Sequence, residues 1–105
     1  MRNFNNEREW SQFHSPKNLA MALSVECAEL TEHFQWLTEE QSRNLPQDMI
    51  EPIKDEIGDI LIYLLNISDK LGVDPLAAAH AKIEKNRVKY PVEKARGLSK
   101  KYTEL

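Results

Sequence analysis

Glu26 and Glu29 in ECAE, and Glu56 and Asp59 in EIGD, form two carboxylate pairs, each spaced three residues apart. On an α-helix that spacing puts both members on one face, about 60° apart. The second pair lies in DEIGDILIYLLNI, residues 55–67, which after Glu56 is apolar or small almost all round except for Asp59 and Asn66. A helix apolar on every side is expected to be buried. Asp59 is therefore expected inside the protein, where a carboxylate needs neutralising. Four carboxylates facing one another across adjacent helices repel unless a cation stands between them. An all-oxygen ligand set, with no cysteine and no obligatory histidine, suits a hard divalent ion: Mg²⁺, with Mn²⁺ as a substitute. A basic partner such as Lys54 is the structural alternative for Asp59, and a solvated face is the alternative for either pair alone. A di-iron centre of the Glu-x-x-His type is set aside, because neither Glu nor Asp stands three residues before His14, His33 or His80.

Other side chains share these faces. From Glu56 the helical stripe passes Asp59, Tyr63, Asn66 and Lys70; from Glu29 it passes His33 and Trp36. Tyr63 and Trp36 offer flat surface on which a base can stack, although aromatics at helical spacing also serve as plain core. His33 is assigned no role. Gly58, Gly72 and Gly97 are scattered and no GxxxxGK occurs, so a phosphate site must rely on metal ions and on Lys or Arg side chains. The stretch KIEKNRVKYP supplies Lys82, Asn86 and Arg87, whose bland role is to complement a helix dipole.

The elements that must hold these residues read as helices, since strand-like alternation is absent. A short first helix is expected over residues 3–13. Ser15-Pro16 opens a second, Ser as N-cap and Pro at the first helical position, and its apolar stripe reaches residue 37. The polar TEEQSRNLP reads as a connection. Pro46 opens a third helix, kinked or postponed by Pro52, which stops at Gly72. Asp74-Pro75 caps a fourth, ended by Pro91, and the polar remainder, about 92–105, is expected to be extended. The expected fold is an all-α, four-helix-bundle-like single domain over residues 1–105. Its third helix is apolar on more sides than three neighbours can cover, so a homo-oligomer is expected, a dimer or a tetramer built from dimers.

Composition narrows the function classes. The 105 residues are 41% hydrophobic and 30% charged, with a net charge of −3. Residues 1–81 carry a net −8 and residues 82–105 a net +5. The acidic body argues against nucleic-acid binding. No apolar run approaches a membrane span, and MRNFNNEREW has no signal-peptide core. With the lone Cys27, this leads to an expected cytoplasmic location.

On these motifs the sequence resembles the MazG-like all-α nucleoside triphosphate pyrophosphohydrolases, whose signature is ExxE followed by ExxD. Within them it looks most like the dCTP pyrophosphatase branch. EREWSQFHSPKNLAMAL, ECAELTEHFQW, DEIGDILIYLL, KIEKNRVKYP and KKYTEL carry the likeness over nearly the whole chain. The resemblance implies a Mg²⁺-dependent hydrolase that cleaves dNTPs, dCTP-like or modified ones favoured, between the α and β phosphorus atoms, clearing them from the nucleotide pool. It implies that Glu26, Glu29, Glu56 and Asp59 bind the metal and are catalytic. Trp10, His14, Trp36 and Tyr63 match positions of the base and sugar pocket, and Lys70, Lys82, Asn86 and Arg87 match positions near the phosphates. The family reaction implies a water activated against the α-phosphorus, with Glu29 or Glu26 as general base. Relatives carry more helix ahead of the point matching Met1, so part of the pocket is expected to be missing or built differently. The alternative is a non-catalytic helical module that binds nucleotides or a partner protein.

Overall fold

The structure, a computed structural model, describes residues 1–104; Leu105, the end of the expected tail, lies outside them. Every regular element among the described residues is helical. They are α1 (Arg2–Glu7), a 3-10 turn (Trp10–Phe13), α2 (Pro16–Glu32), α3 (Glu39–Arg43), α4 (Gln47–Leu71), α5 (Pro75–Lys89), α6 (Val92–Ala95) and a second 3-10 turn (Tyr102–Glu104). No described helix is long and apolar enough to cross a membrane. The chain falls into two compact units, Met1–Gly72 and Val73–Leu105.

In the first unit α2 and α4 pack against each other. The start of α2 follows its local chemistry: Ser15 Oγ accepts from the Asn18 N–H at 3.1 Å, and Pro16 occupies the first turn. The end of α4 is equally local, since Gly72 takes the left-handed conformation, φ 66°. Leu19 of α2 and Ile53 of α4 are buried. At the other end of α4, Arg2 pairs with Asp69, its Nε donating to both carboxylate oxygens at 2.9 and 3.0 Å. This contact ties α1 to the last turns of α4 and holds the Asp69 carboxyl below its ordinary range.

Several expectations are corrected. The first helix does not run unbroken from 3 to 13: Glu9 adopts φ 54°, left-handed, and the chain restarts at Trp10 as a 3-10 turn. The α-helical part of α2 stops at Glu32, not 37; beyond it His33, Phe34 and Leu37 donate to the carbonyls three residues back, those of Leu30, Thr31 and Phe34, in tighter turns. Pro52 does not postpone α4, which is regular from Gln47, with Pro46 as its N-cap. The polar connection contains α3, whose capping box is reciprocal: Thr38 Oγ1 accepts from the Gln41 N–H at 3.1 Å and Gln41 Oε1 from the Thr38 N–H at 2.9 Å. Thr38→Ala removes one acceptor and frees the other, and is expected to lower stability by about 1 kcal/mol, read as a shift of the urea midpoint at unchanged slope.

The fully buried α4 is also corrected. Ile57, Leu61, Ile62 and Leu64 are all at least 40% exposed. One apolar face is packed and another is open, because α2 covers only one side of a helix that is apolar on several.

In the second unit Asp74 Oδ1 accepts from the Leu76 and Ala77 N–H groups at 3.0 and 3.1 Å, which starts α5 at Pro75 as expected. The tail is not simply extended, since it contains α6 and the second 3-10 turn.

Candidate metal centre and adjoining cavity

α2 and α4 pack together, and this brings Glu26 and Glu29 of α2 up to Glu56 of α4. One oxygen from each of Glu26, Glu29 and Glu56 lies within 4.8 Å of the other two. All three side chains are half-buried. Glu26 Oε2 and Glu56 Oε2 are shut off from solvent with no hydrogen-bond partner. Covered acceptors without a donor are costly, and here they converge.

The electrostatics carry the same strain. Burial pushes the Glu26 carboxyl up to about 7, helped by a hydrogen bond with Glu29 and by the charges of Glu29, Asp59 and Glu56. Burial also raises the Glu56 carboxyl, with Glu29 adding to it. Without a cation these groups hold protons that ordinary carboxylates release. Orphaned covered oxygens, three converging ligands and an all-oxygen donor set together fit a hard divalent cation held by Glu26, Glu29 and Glu56.

Asp59 stands apart from that triad. It lies one turn further along α4 and is exposed, so the expectation of a buried carboxylate is corrected: the covered acids are Glu26 and Glu56. It is exposed because it shares the uncovered side of α4 with Ile62. No ion pair with Lys54 occurs among the described residues. Asp59 still acts on the triad, its charge contributing to the raised Glu26 and Glu56 carboxyls.

Asp59 also faces a cavity of about 410 Å³, where it is joined by Trp10, His14 and Tyr63 from the expected pocket. Phe4, Asn5, Ile62 and Asn66 contribute as well. Phe4 and Trp10 meet edge to face, with ring centroids 5.5 Å apart, and the Arg8 guanidinium lies 3.8 Å from the Phe4 centroid. His14 Nδ1 is covered and has no partner. A larger hollow of about 510 Å³, lined by Leu37, Leu45, Pro46 and Met49 among others, contains none of the expected ligands.

The remaining expected residues stand elsewhere. Trp36 is 86% exposed in the turns after α2. Lys70 is exposed on the last turn of α4. Lys82, Asn86 and Arg87 are exposed on α5, in the second unit, where Arg87 pairs with Glu84 at 2.9 Å. Among the contributors left without a role in the sequence are His33 and Asn5. His33, four residues after Glu29 and so on its face, puts Nε2 3.8 Å from Glu56 Oε1. Asn5 lines the cavity, and nothing in the local sequence around it signals that.

The chain is 42% identical over 101 residues to dCTP pyrophosphatase 1 of Mus musculus, covering 94% of this chain and 59% of that protein. The dCTP pyrophosphatase 1 of Homo sapiens gives the same identity and coverage. The chain thus spans about 59% of the length of these relatives. The crystal structure of a pyrophosphatase from Archaeoglobus fulgidus superposes with a TM-score of 0.82 at 41% identity, covering 86% of this chain and 84% of that one. The pattern of the MazG-like family matches residues 21–105, a stretch that includes both carboxylate pairs. The chain belongs to the MazG-like family.

Proposed function

We propose that the protein is a Mg²⁺-dependent nucleoside triphosphate pyrophosphohydrolase that converts dNTPs, with dCTP-like or modified nucleotides favoured, to the monophosphate and pyrophosphate. The observation that carries this reading is the meeting of Glu26, Glu29 and Glu56 oxygens within 4.8 Å of one another, in the same unit as an aromatic-lined cavity. The name of the relatives, dCTP pyrophosphatase 1, supports it.

In this reading Glu26, Glu29 and Glu56 hold Mg²⁺, with Asp59 completing the acidic face toward the cavity. A divalent ion held by these residues would supply charge neutralisation for the phosphates and acidify the attacking water. Trp10 and Tyr63 take the base between flat surfaces, and His14 lies against the base or sugar. A carboxylate of the Glu26–Glu29 couple accepts the proton of the water that adds to the α-phosphorus. The bond from that phosphorus to the bridging oxygen breaks, and pyrophosphate leaves. Lys70 is assigned to the phosphates, and Lys82, Asn86 and Arg87 are assigned to them by the family resemblance alone. Residues 1–105 act as one domain in a homodimer or a dimer of dimers that covers the open apolar side of α4. Trp36 completes a pocket through that assembly. The reading places the enzyme in the cytoplasm, with no nucleic-acid or membrane partner.

The pure protein incubated with each dNTP is expected to release monophosphate and pyrophosphate in equal amounts, only when Mg²⁺ is present. Release of inorganic phosphate alone, or nucleotide binding without turnover at any divalent-ion concentration, overturns the proposal.

A further inference from the structure

Two amides are buried where the cavity meets the α1–α4 contact. Asn5 and Asn66 are 9% and 8% exposed, and Asn5 Nδ2 donates to Asn66 Oδ1 at 3.0 Å. Both line the cavity. A carboxamide offers two N–H donors and one oxygen with two lone pairs. The single bond between them uses one donor and one acceptor. Asn5 Oδ1 and the Asn66 Nδ2 hydrogens have no other partner among the described residues, yet neither atom is sealed from the cavity as His14 Nδ1 is. Buried polar groups are normally satisfied, so what these two lack is the contents of the cavity.

The bond also fixes what each amide presents. With Asn5 donating its N–H and Asn66 accepting, the pair turns one acceptor, Asn5 Oδ1, and one donor, Asn66 Nδ2, to the cavity. Of the other lining residues, Phe4 and Ile62 have no polar side-chain atom and the Trp10 indole can only donate, whereas Asp59, His14 and Tyr63 are taken up by the acidic face, the base or sugar and the stacking surface in the reading above. We infer that Asn5 and Asn66 are the specificity-determining residues of the base pocket, reading an edge on which an amino donor adjoins a ring-nitrogen acceptor. Cytosine has that edge in N4–H and N3. Uracil and thymine present O4 and N3–H, the reverse order, which sets acceptor against acceptor and donor against donor. To take them both amides must turn over and remake their mutual bond. This rests on the nucleotide reading above and deepens it by assigning the residues that discriminate.

A purely structural role, clasping α1 to α4 beside the Arg2–Asp69 pair, predicts something different. Loosening a clasp weakens all nucleotides alike; removing a reader changes their ratio. dCTP and dUTP make the comparison clean, since they differ only at this edge. Discrimination is measured as the ratio of kcat/KM for dCTP over dUTP, and independently of turnover as the ratio of dCMP to dUMP affinity by calorimetry. The wild type is expected to favour the cytosine nucleotide by about tenfold or more in both. The Asn5→Leu/Asn66→Leu double variant replaces both partners by apolar groups of similar shape, which leaves no orphaned amide, and is expected to bring both ratios to about one. Asn66→Asp keeps an acceptor for Asn5 Nδ2, so the clasp survives, but removes the donor facing the cavity. It is expected to lose cytosine preference in the binding ratio, measured on protein shown to be folded by circular dichroism, and it tests the inference if the double variant does not fold. A wild-type binding ratio near one or below overturns the inference, as does a wild-type ratio retained in either variant. Absence of turnover with every dNTP sinks the hydrolase reading instead, and the binding ratio still decides this one.

Discussion

Glu56→Gln is expected to lower kcat by about three orders of magnitude and to raise the melting temperature of the metal-free protein. The first effect follows from charge. Glutamine keeps the shape of the side chain but removes one of three converging anionic ligands, and a bound divalent ion supplies several kcal/mol of transition-state stabilisation at roughly tenfold per 1.4 kcal/mol. The second follows from the state of the cluster without metal. Glu56 stands against Glu29 and Glu26, its carboxyl raised by burial and by Glu29, and one of its oxygens is covered and unpartnered. Taking away its charge relieves that repulsion, and the amide N–H₂ can donate to a neighbouring carboxylate. Steady-state kinetics and a thermal melt in EDTA measure the two effects on one sample. A variant that is inactive but also destabilised would point to misfolding, and one with wild-type turnover would remove Glu56 from the metal centre.

The second large effect is a reversal of the pH dependence of stability by Mg²⁺. The Glu26 carboxyl is raised from 4.5 to about 7 in the folded protein. Between these values the folded chain holds a proton that the unfolded chain has lost, so stability is greatest below about 4.5 and is lost as pH rises through about 7. The metal-free melting temperature should therefore fall across that window as far as this group is concerned. Mg²⁺ binds the deprotonated cluster, so it competes with the proton and binds more tightly as pH rises toward 7. At about a hundred times its dissociation constant an ion adds about 2.7 kcal/mol, roughly 10 °C for a chain of this size. The stabilisation by Mg²⁺ should accordingly be large at pH 7.5 and small at pH 5. Differential scanning calorimetry with and without the ion reads this directly. An increment independent of pH would show that the ion binds elsewhere.

What could be read from the sequence divides along the range of the interactions. The starts of α2 and α5 and the end of α4 were legible because Ser15-Pro16, Asp74-Pro75 and Gly72 decide them within a few residues. The ExxE and ExxD pairs were legible as a candidate site because helix periodicity alone puts their members on one face. α3 carried its own signal in Thr38 and Gln41, hidden by the polarity of the segment. The exposure of Asp59 was not legible, since apolar character all round a helix says nothing about how many sides its neighbours cover. Asn5 was beyond reach for another reason: its partner Asn66 lies 61 positions away, and only the packed helices bring the two amides together.

The left-handed backbone at Glu9 has a consequence for the pocket wall. Were α1 to continue through residue 10, Trp10 would point about 120° away from Phe4 around the helix axis, because six residues advance it by one and two-thirds turns. The edge-to-face contact exists because a single torsion, φ 54° at Glu9, re-aims the indole. A side chain other than glycine holds that angle at a cost of about 1 kcal/mol, so the aromatic flank hangs on a spring that is already slightly wound. Relaxing it would unhook one wall of the hollow while leaving Glu26, Glu29 and Glu56, carried on other helices, where they are.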